Sequence, residues 1–105
     1  MLVLGVTFKE NCPDIRNTKA IDVYKSLISF NMNVDVYDPW ASKEDVKHEY
    51  NLNTIKDLNT KYDAIIHVVS HKEFESLDFK SLQKENSILY DVKGNLKPEH
   101  VTKRL

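Results

Sequence analysis

The strongest constraint on the fold is the order in which short apolar runs alternate with stretches of helical periodicity. The four runs read LVLGV, VDVY, AIIHVV and SILYDV, at residues 2–6, 34–37, 64–69 and 87–92. A short apolar run of this kind is typical of a strand that is buried on both faces. Strands that alternate with helices predict a parallel sheet with right-handed crossovers. We therefore expect an α/β fold, a Rossmann-like three-layer sandwich with a mostly parallel sheet and helices on both faces.

The segments between these runs carry helix signals of different strength. Apolar residues recur at helical spacing over 20–28, behind a good N-cap residue at Asn17 or Thr18. A second helix, capped by Ser42, is expected over residues 42–49. Shorter helical segments are expected at 54–59, 74–77, 78–84 and 98–105, with Gly94 in a turn.

The length and composition exclude several classes of protein. A chain of 105 residues is expected to form a single domain, 1–105. A formal net charge of -1 argues against a general nucleic-acid binder. No apolar run approaches the ~20 residues that a membrane span requires. The only cysteine, Cys12, excludes an internal disulfide and favours a cytoplasmic protein. Because the chain opens directly into a strand, we expect it to be a fragment of a longer protein.

The residues just after each strand are the first candidates for a ligand site, because doubly wound sheets bind ligands at the carboxyl ends of their strands. They are Phe8, Lys9, Asp38, Ser70, His71 and Lys93. A dinucleotide site needs a glycine-rich loop, whereas this chain has two glycines far apart, Gly5 and Gly94. Asp38 is placed where a ribose-binding acid would lie, but it is more simply a turn residue before Pro39. The sequence therefore predicts a Rossmann-like frame without the standard NAD site.

Three basic residues near these strand ends have two interpretations each. Lys9 is either a compact cation for a phosphate or sugar hydroxyl, or a solvated surface lysine. Lys93 offers the same choice, with the surface interpretation favoured. Arg16 follows Asp14 by two residues and either braces the loop by pairing with it or contacts the anion that Lys9 binds. The bracing role is favoured for Arg16.

Nucleophilic catalysis and metal binding have weak support in the sequence. A nucleophilic Cys12 would need an activating base, and no histidine is tied to it in sequence. The four histidines lack the usual spacing of metal ligands. His67 is interpreted as a core or edge histidine, and Trp40 as a packing residue.

The loop after the first strand resembles a family signature. In LGVTFKENCPDIRNTK, the order Gly-x-x-Phe-Lys and then Asp-x-Arg falls on Gly5, Phe8, Lys9, Asp14 and Arg16. The stretches VDVYDPWA, YDAIIHVVSHKEF and ILYDVKGNLKPE agree with the later strand ends. Across essentially its whole length, the chain resembles the C-terminal UDP-binding domain of the UDP-glucose/GDP-mannose dehydrogenase family. It is most similar to the branch that oxidises UDP-N-acetylhexosamines, such as UDP-N-acetylglucosamine or UDP-N-acetylgalactosamine.

The resemblance implies an activity for a longer protein. Members of the family oxidise the C6 alcohol of a nucleotide sugar to a carboxylate in two NAD-dependent steps, and the products feed capsule and O-antigen polysaccharides. An N-terminal domain binds NAD, a central helical domain carries the catalytic cysteine, and the C-terminal domain closes over the UDP-sugar. The implied partners are therefore a UDP-sugar and the two other domains of the same chain. No cofactor, metal or catalytic residue is implied within this fragment.

The resemblance also implies which residues bind the substrate. The Phe-Lys pair that lines the substrate pocket in the family matches Phe8 and Lys9. The basic residue that faces substrate after the last strand matches Lys93, where many members have an arginine. A lysine lacks the bidentate fork of arginine. Arg16 is the fourth candidate for substrate binding.

Two functions of other classes stay open. One is a non-catalytic interaction module that keeps the Rossmann-like fold without binding nucleotide. The other is a small independent enzyme that uses Cys12 as its nucleophile.

Overall fold

The computed structural model describes residues 1–16, 18–92 and 103–104. The strands are β1 (Leu2–Leu4), β2 (Asp35–Tyr37), β3 (Tyr62–His67), β4 (Gln83–Asp91) and β5 (Lys103–Arg104). The helices are α1 (Lys19–Ser29), α2 (Lys43–Tyr50), a 3-10 helix (Lys72–Ser76) and α3 (Phe79–Leu82). None of the described helices is long and apolar enough to span a membrane.

The five strands form one sheet in the order β2-β1-β3-β4-β5. Every strand pair is parallel. Because β1 lies between β2 and β3, the chain moves to one side of β1 first and then to the other. This arrangement makes the carboxyl ends of β1 and β3 the topological switch point, where ligands of doubly wound sheets bind.

The sheet buries a separate apolar layer on each face. Alternate residues of β1 point to opposite faces, so that Val3 joins one core and Leu2 and Leu4 join the other. The first core packs against α1 and α2 through Ala20, Ile21 and Val46. The second packs against the 3-10 helix and α3 through Phe74, Phe79 and Leu82. The three-layer α/β sandwich expected from the sequence is confirmed.

The two longer helices begin at the residues that the sequence indicates. The Thr18 hydroxyl accepts a hydrogen bond from the Ala20 amide at the start of α1. The Ser42 hydroxyl accepts one from the Asp45 amide at the start of α2. Both side chains satisfy backbone donors that the first turn of a helix leaves without partners.

The short elements differ from the sequence expectations. No helix forms over 54–59, because Thr54 forms a bridge to Val36 and the Ile55 amide donates to the Val36 carbonyl. That segment lies beside the outer edge of β2 and pairs with Val36. The helical turns expected over 78–84 shorten to α3, because the polar residues from Gln83 onward extend β4.

The end of the chain also departs from expectation. Residues 103–104 form β5 beside β4, where a helix over 98–105 was expected. Pairing with the edge of β4 satisfies backbone groups that the sequence pattern could not reveal. The rest of that expected helix and the turn at Gly94 lie outside the described residues.

Candidate functional site

The loops that follow β1 and β3 touch each other at Gly5. This residue has a φ of +99°, a conformation that L side chains rarely adopt. A Cβ atom placed on Gly5 would lie 2.5 Å from the Cβ of Val69, which no side chain can tolerate. The glycine therefore lets the chain leave β1 across the end of β3.

Asp38, the residue after β2, joins two loops through its carboxylate. Oδ2 accepts hydrogen bonds from the amides of Val6 at 2.7 Å and Thr7 at 3.2 Å. Oδ1 accepts from the amides of Trp40 at 2.8 Å and Ala41 at 3.1 Å. The side chain is fully buried. Asp38 therefore fastens the loop after β1 to the turn after β2.

His71 adds the loop after β3 to the same cluster. Its Nε2 lies 2.9 Å from Oδ2 of Asp38 and 3.1 Å from Oγ1 of Thr7. Its Nδ1 lies 2.9 Å from the amide nitrogen of Asn11, which can only donate. The imidazole is fully buried, and the Trp40 ring stacks on it with centroids 6.0 Å apart. One side chain thus contacts all three loops at the carboxyl edge of the sheet.

The Asp38 carboxyl is held in its ionised form. Burial raises its pKa, but the hydrogen bonds from His71 and the Val6 amide outweigh that effect. The net result is a pKa below the usual 3.8. The interpretation of Asp38 as a simple turn residue is therefore too limited, because it also anchors the loop after β1. Sequence reasoning placed His71 after β3 but missed its partnership with Asp38, which lies 33 residues away.

Phe8 and Lys9 lie on the outside of this anchored loop. The Phe8 side chain is 56% exposed, although its amide donates to the Asp14 carbonyl at 2.6 Å. Lys9 is exposed, and its carbonyl accepts a hydrogen bond from the Thr7 hydroxyl at 3.0 Å. Among the described residues, no carboxylate lies within ion-pairing distance of the Lys9 ammonium. The backbone of this pair is held while both side chains remain accessible.

Arg16 braces the same loop through Asp14. Its Nε and Nη2 donate to the two carboxylate oxygens of Asp14, each at 3.0 Å, and its amide donates at 2.9 Å. These side-chain and backbone hydrogen bonds lower the pKa of Asp14 to about 2, and the charge of Lys9 contributes less. The pairing favoured from the sequence is present. Substrate binding by Arg16 stays a prediction.

A second histidine–aspartate pair lies at the ends of the next two strands. His67 Nδ1 lies 2.9 Å from Oδ1 of Asp91, and both side chains are buried. The Val92 amide then donates to the His67 carbonyl at 3.0 Å. These contacts carry the chain out of β4 beside the end of β3. Lys93, the next residue, lies outside the described residues, so its predicted substrate contact stays a prediction.

The described residues do not fit the other chemistries weighed from the sequence. Gly5 uses its missing side chain to pass Val69, so the loop offers no glycine cradle for an NAD pyrophosphate. The ring nitrogens of His71 face Thr7, Asp38 and Asn11, so this histidine is not arranged as a base for the half-buried Cys12. Within the described ranges, no three histidine, cysteine or acidic side chains cluster as metal ligands do.

Comparison with known proteins agrees with this geometry. Residues 2–98 match the model of the UDP-glucose/GDP-mannose dehydrogenase family, UDP binding domain. The UDP-N-acetyl-D-glucosamine 6-dehydrogenase of Pseudomonas aeruginosa is 44% identical over 97 residues, which cover 89% of this chain and 23% of the relative. The enzyme of the same name from Salmonella typhi is 43% identical over 109 residues, which cover 100% of this chain and 26% of the relative.

Solved structures support the fold independently. A UDP-glucose dehydrogenase from the hyperthermophilic archaeon Pyrobaculum islandicum superposes with a TM-score of 0.77 at 21% identity, covering 98% of this chain and 24% of that one. This chain spans only 23% to 26% of the length of the two curated relatives described above. The chain belongs to the UDP-glucose/GDP-mannose dehydrogenase family, and its residues 2–98 correspond to the family's UDP binding domain.

Proposed function

We propose that this chain binds a UDP-sugar at the loop after β1, as the C-terminal domain of a longer NAD-dependent nucleotide-sugar 6-dehydrogenase. The longer enzyme oxidises the C6 alcohol of a UDP-hexose or UDP-N-acetylhexosamine to a uronate. The names of the bacterial relatives, both UDP-N-acetyl-D-glucosamine 6-dehydrogenases, support an N-acetylated sugar.

The observation that carries the proposal is an accessible cation beside an accessible aromatic ring on an anchored loop. Lys9 and Phe8 are exposed, and their backbone is tied to Thr7 and Asp14. An ammonium is suited to a diphosphate, and a phenyl ring offers a flat apolar surface to a base or a sugar. A loop that is already ordered loses less conformational entropy on binding. Arg16 and Lys93 are proposed as further contacts.

The remaining parts of the reaction are assigned to other domains. NAD is held by an N-terminal domain, and the catalytic cysteine belongs to a central helical domain, as the family resemblance implies. This chain alone therefore binds nucleotide without catalysing the oxidation. As part of the same proposal, the whole enzyme is cytoplasmic, and its uronate product is a precursor of capsule or O-antigen polysaccharide.

Amide NMR of the 105-residue chain during titration with UDP tests this proposal. We expect UDP to shift the amides of Phe8, Lys9 and Lys93. Lys9→Ala should weaken UDP binding about tenfold, which is the loss expected for one charge-assisted contact. The matched control is Lys80→Ala, because Lys80 is an exposed lysine on α3 and should leave the affinity unchanged.

The aromatic contact has its own control. Phe8→Ala should weaken binding. Phe30→Ala is the matched control, because Phe30 is also an exposed phenylalanine, 74% exposed at the end of α1, and its loss should leave the affinity unchanged. An absence of amide shifts at millimolar UDP would contradict the proposal and favour the non-catalytic interaction module. Equal losses from Lys9→Ala and Lys80→Ala would show that UDP binding does not depend on this loop.

A further inference from the structure

We propose that Thr7 and His71 are positioning residues for nucleotide binding, which act by fixing the backbone that carries Phe8 and Lys9. This inference rests on the proposed function. Neither side chain reaches solvent, since both have a relative exposure of 0%. Both therefore act through the loop and not through contact with the ligand.

The protonation state of His71 follows from its partners. The Asn11 amide donates to Nδ1 at 2.9 Å, so Nδ1 carries no proton. The imidazole is then neutral, with its proton on Nε2. That proton points to a fixed acceptor, Oδ2 of Asp38 at 2.9 Å, with Oγ1 of Thr7 alongside at 3.1 Å. The tautomer of His71 is thus determined by a backbone amide on one side and a buried carboxylate on the other.

The Thr7 hydroxyl connects the imidazole of His71 to the backbone of Lys9. Because Nε2 of His71 carries a proton and cannot accept a hydrogen bond, the hydroxyl proton of Thr7 is directed to the Lys9 carbonyl, 3.0 Å away. The Thr7 carbonyl in turn accepts from the Thr18 hydroxyl at 3.1 Å. The Thr7 amide also donates to Asp38. Thr7 therefore has hydrogen-bond partners for its amide, its hydroxyl and its carbonyl. The bond from the hydroxyl holds the backbone of Lys9, two positions later.

The imidazole of His71 holds both ends of one short segment. Thr7 lies at the start of the segment and contacts Nε2, while Asn11 lies at its end and contacts Nδ1. The Asn11 side chain returns to the neighbouring strand end, accepting a hydrogen bond from the Lys72 amide at 2.9 Å. Phe8 and Lys9 lie between these two anchors and are exposed. Loss of either anchor would free the backbone of both proposed ligand contacts.

Thr7→Val is the sharpest test, because valine keeps the shape of threonine and removes the hydroxyl. The probe is UDP-N-acetylglucosamine, whose diphosphate diester has no proton that titrates near neutral pH. We expect Thr7→Val to weaken binding about tenfold. Thr7→Ser, which keeps the hydroxyl, should bind within about threefold of the starting protein. Thr60→Val, on the exposed Thr60, is the matched control and should have no effect.

A spectroscopic measurement on the unsubstituted chain keeps the inference testable if a variant fails to fold. Two-bond ¹H–¹⁵N correlations of the imidazole should show the Nε2–H tautomer of His71, and the Asn11 amide should exchange slowly. A protonated Nδ1 would overturn the inference, as would unchanged binding in folded Thr7→Val. If the starting protein binds no UDP-sugar, the proposed function itself fails. If binding requires Lys9 but is indifferent to the Thr7 hydroxyl, only the positioning inference fails.

Discussion

The two buried histidine–aspartate pairs lie at neighbouring strand ends but connect different kinds of structure. His67 and Asp91 face each other as register partners on β3 and β4, which the backbone ladder already joins. Asp38 and His71 connect loops that no ladder joins. The ring of Phe74 separates the two imidazoles, with its centroid 5.8 Å from His67 and 5.4 Å from His71.

The comparison shows where a buried charge does something that backbone pairing cannot. Loops have no regular pattern of hydrogen bonds, so their buried amides need other acceptors. Asp38 supplies an acceptor for the amides of Val6, Thr7, Trp40 and Ala41. We therefore expect damage to the Asp38–His71 pair to disorder the proposed ligand loop, and damage to the His67–Asp91 pair to weaken the sheet.

Asp38→Ala should give the largest effect. It leaves buried amides without an acceptor and removes the partner of His71 Nε2. We expect a loss of about 3–5 kcal/mol in the free energy of unfolding, measured by urea titration, because several hydrogen bonds to one charged acceptor are lost together. The Asn11 amide should lose its protection from exchange at the same time. Stability within error of the starting protein would contradict the anchoring role.

The same contact can be tested without a substitution. The pKa of Asp38 is lowered on folding, so its contribution to stability is present above its unfolded pKa, near 3.8, and is lost as the pH falls through the folded value. Urea midpoints should therefore fall as the pH is lowered from about 3.8 through the folded pKa of Asp38. Asp14, with a pKa of about 2, and Glu73 are shifted in the same direction, so the Asp38 contribution is measured in a background that carries both Asp14→Asn and Glu73→Gln.

Gly5→Ala should come second. A methyl group at this position meets the Val69 backbone and side chain, and the φ of +99° is unfavourable for alanine. The expected loss is about 3 kcal/mol in the free energy of unfolding, from strain and steric overlap together. Because the β1 and β3 loops would be pushed apart, UDP binding by the remaining folded protein should also weaken. Full retention of affinity would show that the two loops need not touch.

His67→Leu tests whether the two histidine–aspartate pairs act independently. It removes the bond from Nδ1 to Asp91 while it keeps an apolar side chain beside Phe74. We expect a loss of about 2 kcal/mol in the free energy of unfolding, the scale of a hydrogen bond to a charged group. The exchange rate of the Asn11 amide, measured under strongly native conditions, should not change. Faster exchange at Asn11 would mean that the two pairs act as one unit.

Trp40→Phe should give the smallest loss of stability among these variants. The substitution keeps an aromatic ring over His71 and removes the hydrogen bond from Nε1 to Glu73, 2.9 Å long in the structure. A loss of about 1 kcal/mol is expected for one partly buried hydrogen bond. Because that hydrogen bond lowers the pKa of Glu73, the carboxyl should titrate at a higher pH in the variant. An unchanged Glu73 titration by NMR would contradict the contact.

The proposed ligand residues were easier to predict than their support. Phe8 and Lys9 follow the first strand directly, so strand position and family motif both indicate them. Thr7 and His71 are 64 residues apart, and Asn11 and His71 are 60 apart. No local pattern signals such a contact, although an acid after β2 and a histidine after β3 could have suggested one, because both strands flank β1.

The sequence by itself determined the strand and helix alternation, the cap at Ser42, the pair Asn17 or Thr18 as candidates for the first cap, and the two apolar faces of β1, because local geometry and periodicity set these features. Tertiary structure alone decided that β4 begins as early as Gln83 and that Thr54 pairs with β2. In both places a polar segment pairs with the exposed backbone of a neighbouring strand. It also decided that Asp38, His71 and Thr7 meet at the carboxyl edge. Buried polar groups in loops find partners through space, and only the packed sheet brings those partners together.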